Sequence, residues 1–313
     1  MTARAHPGEH ARNAPASQKA GAFLLAASFE STRNHSEQEA DMGTRSLAVL
    51  DRRPADSVRS GGIVVIKFGG TALGTHGRMR TAARRVAWLR SAGFRPVVVV
   101  SARGGTTDRL LRQVNAVTGA SVDGASHREL DRALSTGEIL SAALLASALK
   151  TLDVPAESVG AADAVLMAEG PFGGAALREL RPGRVAVLLE TDTVPVVTGF
   201  QGVREDGELV TLGRGTSDLT AVFLASALDA TECHIVTDVD GVYDADPRVA
   251  ELALRFDRLS FDDLITLTAS GAEVVQRDAA RHAAANQVPV RVYHYNAPLT
   301  SAVGTLVGPD DKR

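Results

Sequence analysis

The apolar and polar positions divide the chain into two unequal parts. From Met1 to about Gly61, Ala, Arg, Ser, Glu and His are mixed with no sustained apolar period. That stretch reads as a mobile extension. From Ile63 the pattern changes to strands alternating with helices. "GIVVIKF" and "RPVVVVSA" are continuous apolar runs, as expected for strands covered on both faces. Between them "GRMRTAARRVAWLRSAG" has the 3.6-residue period of an amphipathic helix closed by Gly93.

The alternation continues. "TDRLLRQVNAVTG" and "ELDRALSTGEILSAALLASALKTL" read as helical, with Gly137 marking a break that splits the second into two helices. "GRVAVLLET" reads as a helix and "VPVVTGF" as a strand. "QGVREDGELVTLG" has hairpin chemistry at Asp206-Gly207. "DLTAVFLASALDA" is a helix and "ECHIVTDVDGVY" a strand with its exit loop. Two helices follow in "FDDLITLTASGAEVVQRDAARHAAANQ", then strand "VPVRVYH" and a possible edge strand "GTLV". This order predicts an α/β fold, a three-layer αβα sandwich with a mainly parallel open sheet. The expected boundaries are an extension at 1–61, one folded domain at 62–308 and a tail at 309–313.

Composition narrows the partners. The 313 residues are 44% hydrophobic with a formal net charge of -3, so a sizeable core is available and no cationic face for nucleic acid is implied. The single cysteine, Cys233, leaves no internal disulfide and fits a reducing, cytoplasmic setting. No apolar run in the sequence approaches the ~20 residues of a membrane span, so no membrane partner is expected.

Open parallel sheets bind ligands beyond the carboxyl ends of their strands, so the loops after strands carry the candidate chemistry. In "KFGGTALG", Lys67 precedes Gly69 and Gly70. A glycine pair lets backbone N–H groups face a phosphate, with Lys67 as the cation. The Walker spacing is absent, and a tight turn beside a snorkelling lysine explains the same residues. In "SARGGTTDRLL", Ser101, Thr106 and Thr107 offer hydroxyls, while Thr107 or Asp108 fits a plain helix cap. Glu138, after Gly137, fits either a helix N-terminus or a clamp for a substrate ammonium. In "LGRGTSDLTA", Arg214 lies between two glycines, poorly suited to a core and well suited to a carboxylate. Asp218 suits a cap, an ammonium partner or the organisation of a metal-bound nucleotide. "TDVDGVYDADPR" lacks EF-hand spacing and suits either nucleotide contact or a turn at Asp246-Pro247.

The ordered set "KFGGT", "TTDRLL", "TGE", "VPVVTGF", "LGRGTSD", "TDVDGVYDADPR" and "GTLV" resembles the amino acid kinase superfamily, and within it the catalytic domain of aspartate kinases. The resemblance covers about Ile63 to Val307 and implies an acceptor lobe at about 62–200 and a nucleotide lobe at about 201–308. It implies transfer of the γ-phosphoryl group of ATP, with Mg²⁺, to the side-chain carboxylate of L-aspartate, giving 4-phospho-L-aspartate. By motif, Lys67 and Asp218 would be catalytic, and Gly69, Gly70 and Thr71 would meet the phosphoryl group. Arg214 would grip the α-carboxylate and Glu138 the α-ammonium, with Asp218 nearby. Ser101, Thr107, Phe200 and Ser217 match other acceptor positions. Thr237, Asp238, Tyr243 and Arg248 match the nucleotide side. No metal ligands are assigned to protein side chains. Kinases of this fold are often dimers or larger, so a homo-oligomer is expected.

Three departures leave alternatives open. Ala72 stands where the resemblance has serine, and Glu273 where it has a lysine near the nucleotide. The chain ends soon after "GTLV", so ACT-domain feedback control is not expected of it. A kinase for another amino-dicarboxylate, suggested by Ala72 and Thr216, and a non-catalytic partner subunit, suggested by Glu273, compete with the leading reading.

Overall fold

The computed structural model describes residues 61–119, 124–181, 183–245, 247, 250, 252–269, 274–300 and 303–309. The extension at 1–60, Arg248 and Glu273 lie outside the described residues. In chain order the elements are β1 (Ile63–Phe68), α1 (His76–Ser91), β2 (Arg95–Val100), α2 (Thr106–Thr118), α3 (Gly124–Lys150), β3 (Ala156–Val159), β4 (Leu166–Glu169), β5 (Ala176–Leu180), α4 (Gly183–Glu190) and β6 (Val194–Thr198). They continue with β7 (Gln201–Val203), β8 (Leu209–Thr211), α5 (Ser217–Ala227), β9 (Glu232–Thr237), β10 (Arg258–Ser260), α6 (Phe261–Ala269), α7 (Arg277–Ala285), β11 (Val290–His294) and β12 (Thr305–Gly308).

Eight strands form one sheet in the order β10-β12-β11-β9-β1-β2-β6-β3. All neighbours run parallel except β11 and β12. Both faces are covered, which explains the unbroken apolar runs. On one face Val64, Ile66 and Phe68 pack with α1 and α3; on the other Val65, Val97 and Ile235 pack with α4, α5, α6 and α7. The sheet and its two helical layers are the α/β sandwich expected from the alternation. "GTLV" is not an edge strand: β12 sits inside β10, a three-residue strand too short to read from its sequence.

A second sheet, β5-β4-β7-β8, joins the expected hairpin to an unforeseen one. α3 is tied to it by Asp131, which is fully buried. Its Oδ2 accepts from Thr211 N and Gly173 N, each at 2.9 Å, and its Oδ1 from Thr211 Oγ1 at 2.7 Å. Gln201 Nε2 donates to Ser135 O at 2.8 Å. Asp131, Ser135 and Glu138 recur at i, i+4 and i+7, so they share one helix face.

The break expected at Gly137 does not occur, because α3 runs through it without interruption. The glycine is there for proximity: a Cβ would lie 2.8 Å from Ala102 Cβ and 3.3 Å from Thr106 Cγ2. Gly137→Ala is therefore expected to destabilise by about 1–3 kcal/mol through overpacking, offset in part by helix propensity of about 1 kcal/mol. A lower urea midpoint at unchanged m-value checks this.

By length and composition one described helix segment, His127–Lys150 of α3, could cross a membrane. Its buried side chains, Ala142, Leu145, Ala146 and Leu149, belong to the core beneath the large sheet. On the α1 face a buried polar chain fixes β9 to β11. Arg291 Nε donates to Glu232 Oε2 at 2.8 Å, and His234 bridges Glu232 and Tyr293 at 3.1 Å each. Burial alone would raise the Glu232 pKa, but His234 and Arg291 outweigh it and hold the carboxyl at about 2.

Candidate active site

Strand register brings the candidate loops to one end of the sheet. Phe68 pairs with Val100 and Val236, and Val100 pairs with Thr198, so β1, β2, β6 and β9 end level. The chain builds outward from β1 through β2 and β6 on one side, then returns to place β9 on the other. The gap beyond β1 and β9 is thus the topological switch point, where such sheets bind ligands.

Lys67 and Asp218 meet there. Lys67 Nζ lies 2.6 Å from Asp218 Oδ1, with the two side chains only 11% and 9% exposed. Asp218 sits in the first turn of α5 and does not cap it. Its other oxygen accepts from Gln276 N at 3.2 Å, just before α7. A buried charge needs partners, and this carboxylate has a cation and a backbone donor.

The glycine pair has a steric explanation at its second position. A Cβ on Gly70 would sit 2.6 Å from Ala102 O, whereas one on Gly69 would make only ordinary contacts, 3.4 Å from Val236 O and 3.6 Å from Lys67 Nζ. Gly69 N already donates to Val236 O at 3.0 Å, which corrects the expectation that both glycine amides face a phosphate. Thr71 opens a short 3-10 turn, Thr71–Leu73, and is exposed. Ala72 is buried.

The second loop, after β2, meets Glu138 of α3. Ala102 N donates to Glu138 Oε1 at 2.8 Å, and Arg103 N donates to Ser141 Oγ at 3.1 Å. Glu138 is 3% exposed, and its Oε2 has no hydrogen-bond partner among the described residues. Burial raises its pKa to about 7, although the Ala102 N–H pulls the other way. It is not at a helix N-terminus, as one alternative held, but in the interior of α3. Ser101 adjoins this contact and donates its own N–H to Phe68 O at 3.1 Å.

The third group surrounds the start of α5. Gly199 lies against Ser217, where a Cβ would approach Ser217 Cβ to 2.7 Å. Phe200 follows, buried at φ 67°. Arg214 rides between Gly213 at φ 92° and Gly215 at φ 80°. Its Nη2 reaches Asp108 Oδ1 at 2.7 Å, in the first turn of α2 and next to Thr107. Neither Thr107 nor Asp108 caps α2, whose N-cap is Gly105.

On the remaining side, Thr237 Oγ1 donates to Asp238 Oδ1 at 3.2 Å, and Tyr243 OH donates to Asp240 Oδ1 at 2.6 Å. Sequence reasoning took Asp108 only as a helix cap and passed over Asp131, Gln276 and Thr198, whose buried hydroxyl also has no partner among the described residues. For Asp131 a signal existed: a lone acid on the apolar side of a helix. For Gln276 and Asp108 the partner is distant in sequence, and nothing local marks it. Among the described residues no group of three or more His, Cys, Asp or Glu is placed to hold a metal ion.

Comparison with known proteins agrees with this geometry. The amino acid kinase family model matches residues 62–294. The chain is 40% identical over 250 residues to an aspartate kinase of Pseudomonas fluorescens, covering 80% of this chain and 59% of that protein. It is 40% identical over 247 residues to an aspartokinase of Corynebacterium glutamicum, covering 78% and 58%. Among solved structures, the aspartate kinase from Synechocystis superposes with a TM-score of 0.68 at 36% identity, covering 80% of this chain and 40% of that one. Aspartokinase III of E. coli in complex with aspartate and ADP superposes with a TM-score of 0.70 at 29% identity, covering 80% and 65%. The chain thus spans less than two thirds of the length of these relatives. With the switch-point site, the strand order and the family match in agreement, the chain belongs to the amino acid kinase family.

Proposed function

We propose that this chain transfers the γ-phosphoryl group of ATP to the side-chain carboxylate of L-aspartate, giving 4-phospho-L-aspartate in the cytoplasm. The observation that carries the reading is the buried Lys67–Asp218 pair at 2.6 Å, set at the switch point, with the open oxygen of Glu138 on α3, against the loop after β2. A carboxylate acceptor is ionised at pH 7, so no general base is required. The protein's task is positioning and charge stabilisation.

Lys67 would draw charge from the transferred group, held in place by Asp218. Glu138 would offer Oε2 to the α-ammonium while Ala102 N–H fixes Oε1. Arg214 would take the α-carboxylate, with Ser101, Thr107, Phe200 and Ser217 shaping the acceptor side. Thr237, Asp238, Tyr243 and Arg248 would face the nucleotide. Mg²⁺, which would offset phosphate charge, would be carried mainly by the phosphates, as it usually is in such sites. The test is hydroxamate formation with ATP, Mg²⁺ and L-aspartate; no product at high enzyme concentration overturns the reading.

A specific observation keeps a second acceptor in view. Thr216 Oγ1 donates to Gly213 O at 2.6 Å and so braces the arm that carries Arg214. A panel of amino-dicarboxylates in the same assay decides between them.

Asp108 competes with an incoming carboxylate for Arg214. The pair is exposed and screened by solvent, so it holds Arg214 only weakly. Asp108→Asn is therefore expected to lower the acceptor KM by roughly 2–5-fold, with the ATP KM unchanged. Initial-rate kinetics with each substrate varied in turn checks this.

A further inference from the structure

The buried polar chain between β9 and β11 carries more positive charge than negative. Arg291 meets Glu232 in a two-pronged pair, Nε to Oε2 at 2.8 Å and Nη2 to Oε1 at 3.1 Å, and that pair is neutral. Arg85 reaches the same cluster from α1 and is only 2% exposed. Its guanidinium lies over the Tyr293 ring, 4.9 Å from the centroid. Its Nη2 donates to Ala297 O and, at 3.2 Å, to Pro298 O. A ring and two carbonyls offset part of the charge and remove none of it. Among the described residues no carboxylate pairs with Arg85.

The titratable neighbours do not supply the missing negative charge. His234 touches Glu232 and Tyr293, and burial lowers its pKa, so the ring is neutral at pH 7. Burial pushes the Tyr293 phenol up to about 12, so it too is neutral. The charges that act on both rings are those of Arg85, Arg291 and Glu232. Two guanidinium groups against one carboxylate leave a net charge of +1 held out of water. Buried charge is normally matched by a counter-charge.

A cavity of about 20 Å³ lies beside this charge, room for one particle of about the size of water. Arg85, Arg291 and Trp88 line it, with Val64, Leu89 and Phe94 as an apolar wall. Arg291 Nη1 has no acceptor among the described residues, and on Arg85 only Nη2 donates to a carbonyl. Thr300, also in the lining, is exposed and gives a way in from water. Val64 stands four residues before Phe68 on β1, about 13 Å back from the candidate active site at 3.3 Å per residue. Charge and size together select the occupant. A water molecule fits the space and leaves the charge unmatched. Sulfate and phosphate are too large and carry too much charge, and a carboxylate is too long. We propose that this cavity is a halide site that binds one chloride ion between Arg85 and Arg291. The ion ties α1 to β11 from behind the active site.

Trp88 is the single tryptophan of the chain and lines the cavity, so its fluorescence reports on the site. The full chain is titrated with sodium bromide at constant ionic strength, with gluconate making up the balance. Bromide quenches indole emission through its heavy atom, and chloride does so far less. Collisional quenching rises linearly with bromide. A bound ion adds a component that saturates in the millimolar range and that chloride reverses by competition. The melting temperature should climb with the logarithm of chloride concentration above half-saturation, because the ion binds the folded chain alone. Arg85→Met should abolish the saturable component. Arg85→Lys keeps the charge and should retain it with affinity weaker by roughly 10-fold. If circular dichroism shows Arg85→Met to be unfolded, the bromide titration and the chloride-dependent melting of the native chain decide by themselves. Linear quenching alone overturns the proposal and leaves the cavity to water. So does saturable quenching that persists in folded Arg85→Met, or that sulfate reverses as well as chloride does.

Discussion

Lys67→Met is expected to lower kcat by roughly 10²–10³-fold, the usual consequence of removing one preorganised group that stabilises transition-state charge. The substitution also has a structural cost that must be separated from the catalytic one. Asp218 would keep the Gln276 N–H at 3.2 Å but lose its cation while only 9% exposed. Breaking a buried pair from one side costs about 3–5 kcal/mol. In a domain of this size that lowers the melting temperature by roughly 10 °C. The double variant Lys67→Met/Asp218→Asn removes the orphaned charge. It should recover most of the melting temperature and none of the turnover. Near-normal turnover in folded Lys67→Met would remove Lys67 from the mechanism.

Glu138→Gln is expected to raise the acceptor KM by at least 100-fold and to remove a pH dependence expected of the native chain. The pKa of Glu138 stands at about 7 because burial disfavours its charge. An ammonium at Oε2 needs the ionised form, so kcat/KM for the acceptor should climb with pH up to about 7 and then level. Binding draws the pKa back down, so the acceptor should displace a proton near pH 6–7. Calorimetry in buffers of different ionisation enthalpy reads that proton directly.

The linkage to stability has the opposite sign from that of a salt-bridged acid. The folded pKa lies above the ordinary 4.5, so the folded chain binds the extra proton between about pH 4.5 and 7. Stability from this group is therefore lost as pH rises through that window, by about 3 kcal/mol in all. Glu138→Gln should flatten this part of the pH–stability curve. A curve identical to that of the native chain would show that Glu138 is not the group responsible.

Much of the fold was legible because its signals are local. Apolar runs identified β1, β2 and β6, and β-branched residues around single polar positions identified β9 and β11, while the 3.6-residue period identified α1 and helical apolar patterning α2 and α5. The short strands β3, β4, β5 and β10 were not legible. They span three to five residues and are partly exposed, so they carry too few positions for a period. Gly137 misled for a related reason. Glycine inside a helical pattern reads locally as a break, whereas here it answers a close approach from Ala102, 35 positions earlier.

The sequence by itself determined the chemistry available at each strand end: a lysine before a glycine pair, an acid on an apolar helix, an arginine between glycines. Residue type and spacing are properties of short segments, and they survive without the fold. Only the tertiary structure decided which of these groups touch. It paired Lys67 with Asp218, 151 positions away, and gave Arg214 a resident carboxylate in Asp108. It closed the Gly69 amide onto Val236 and left one oxygen of Glu138 open. Those outcomes depend on strand order and on burial. Both are set by the packing of the whole sheet, and no segment of the chain encodes either alone.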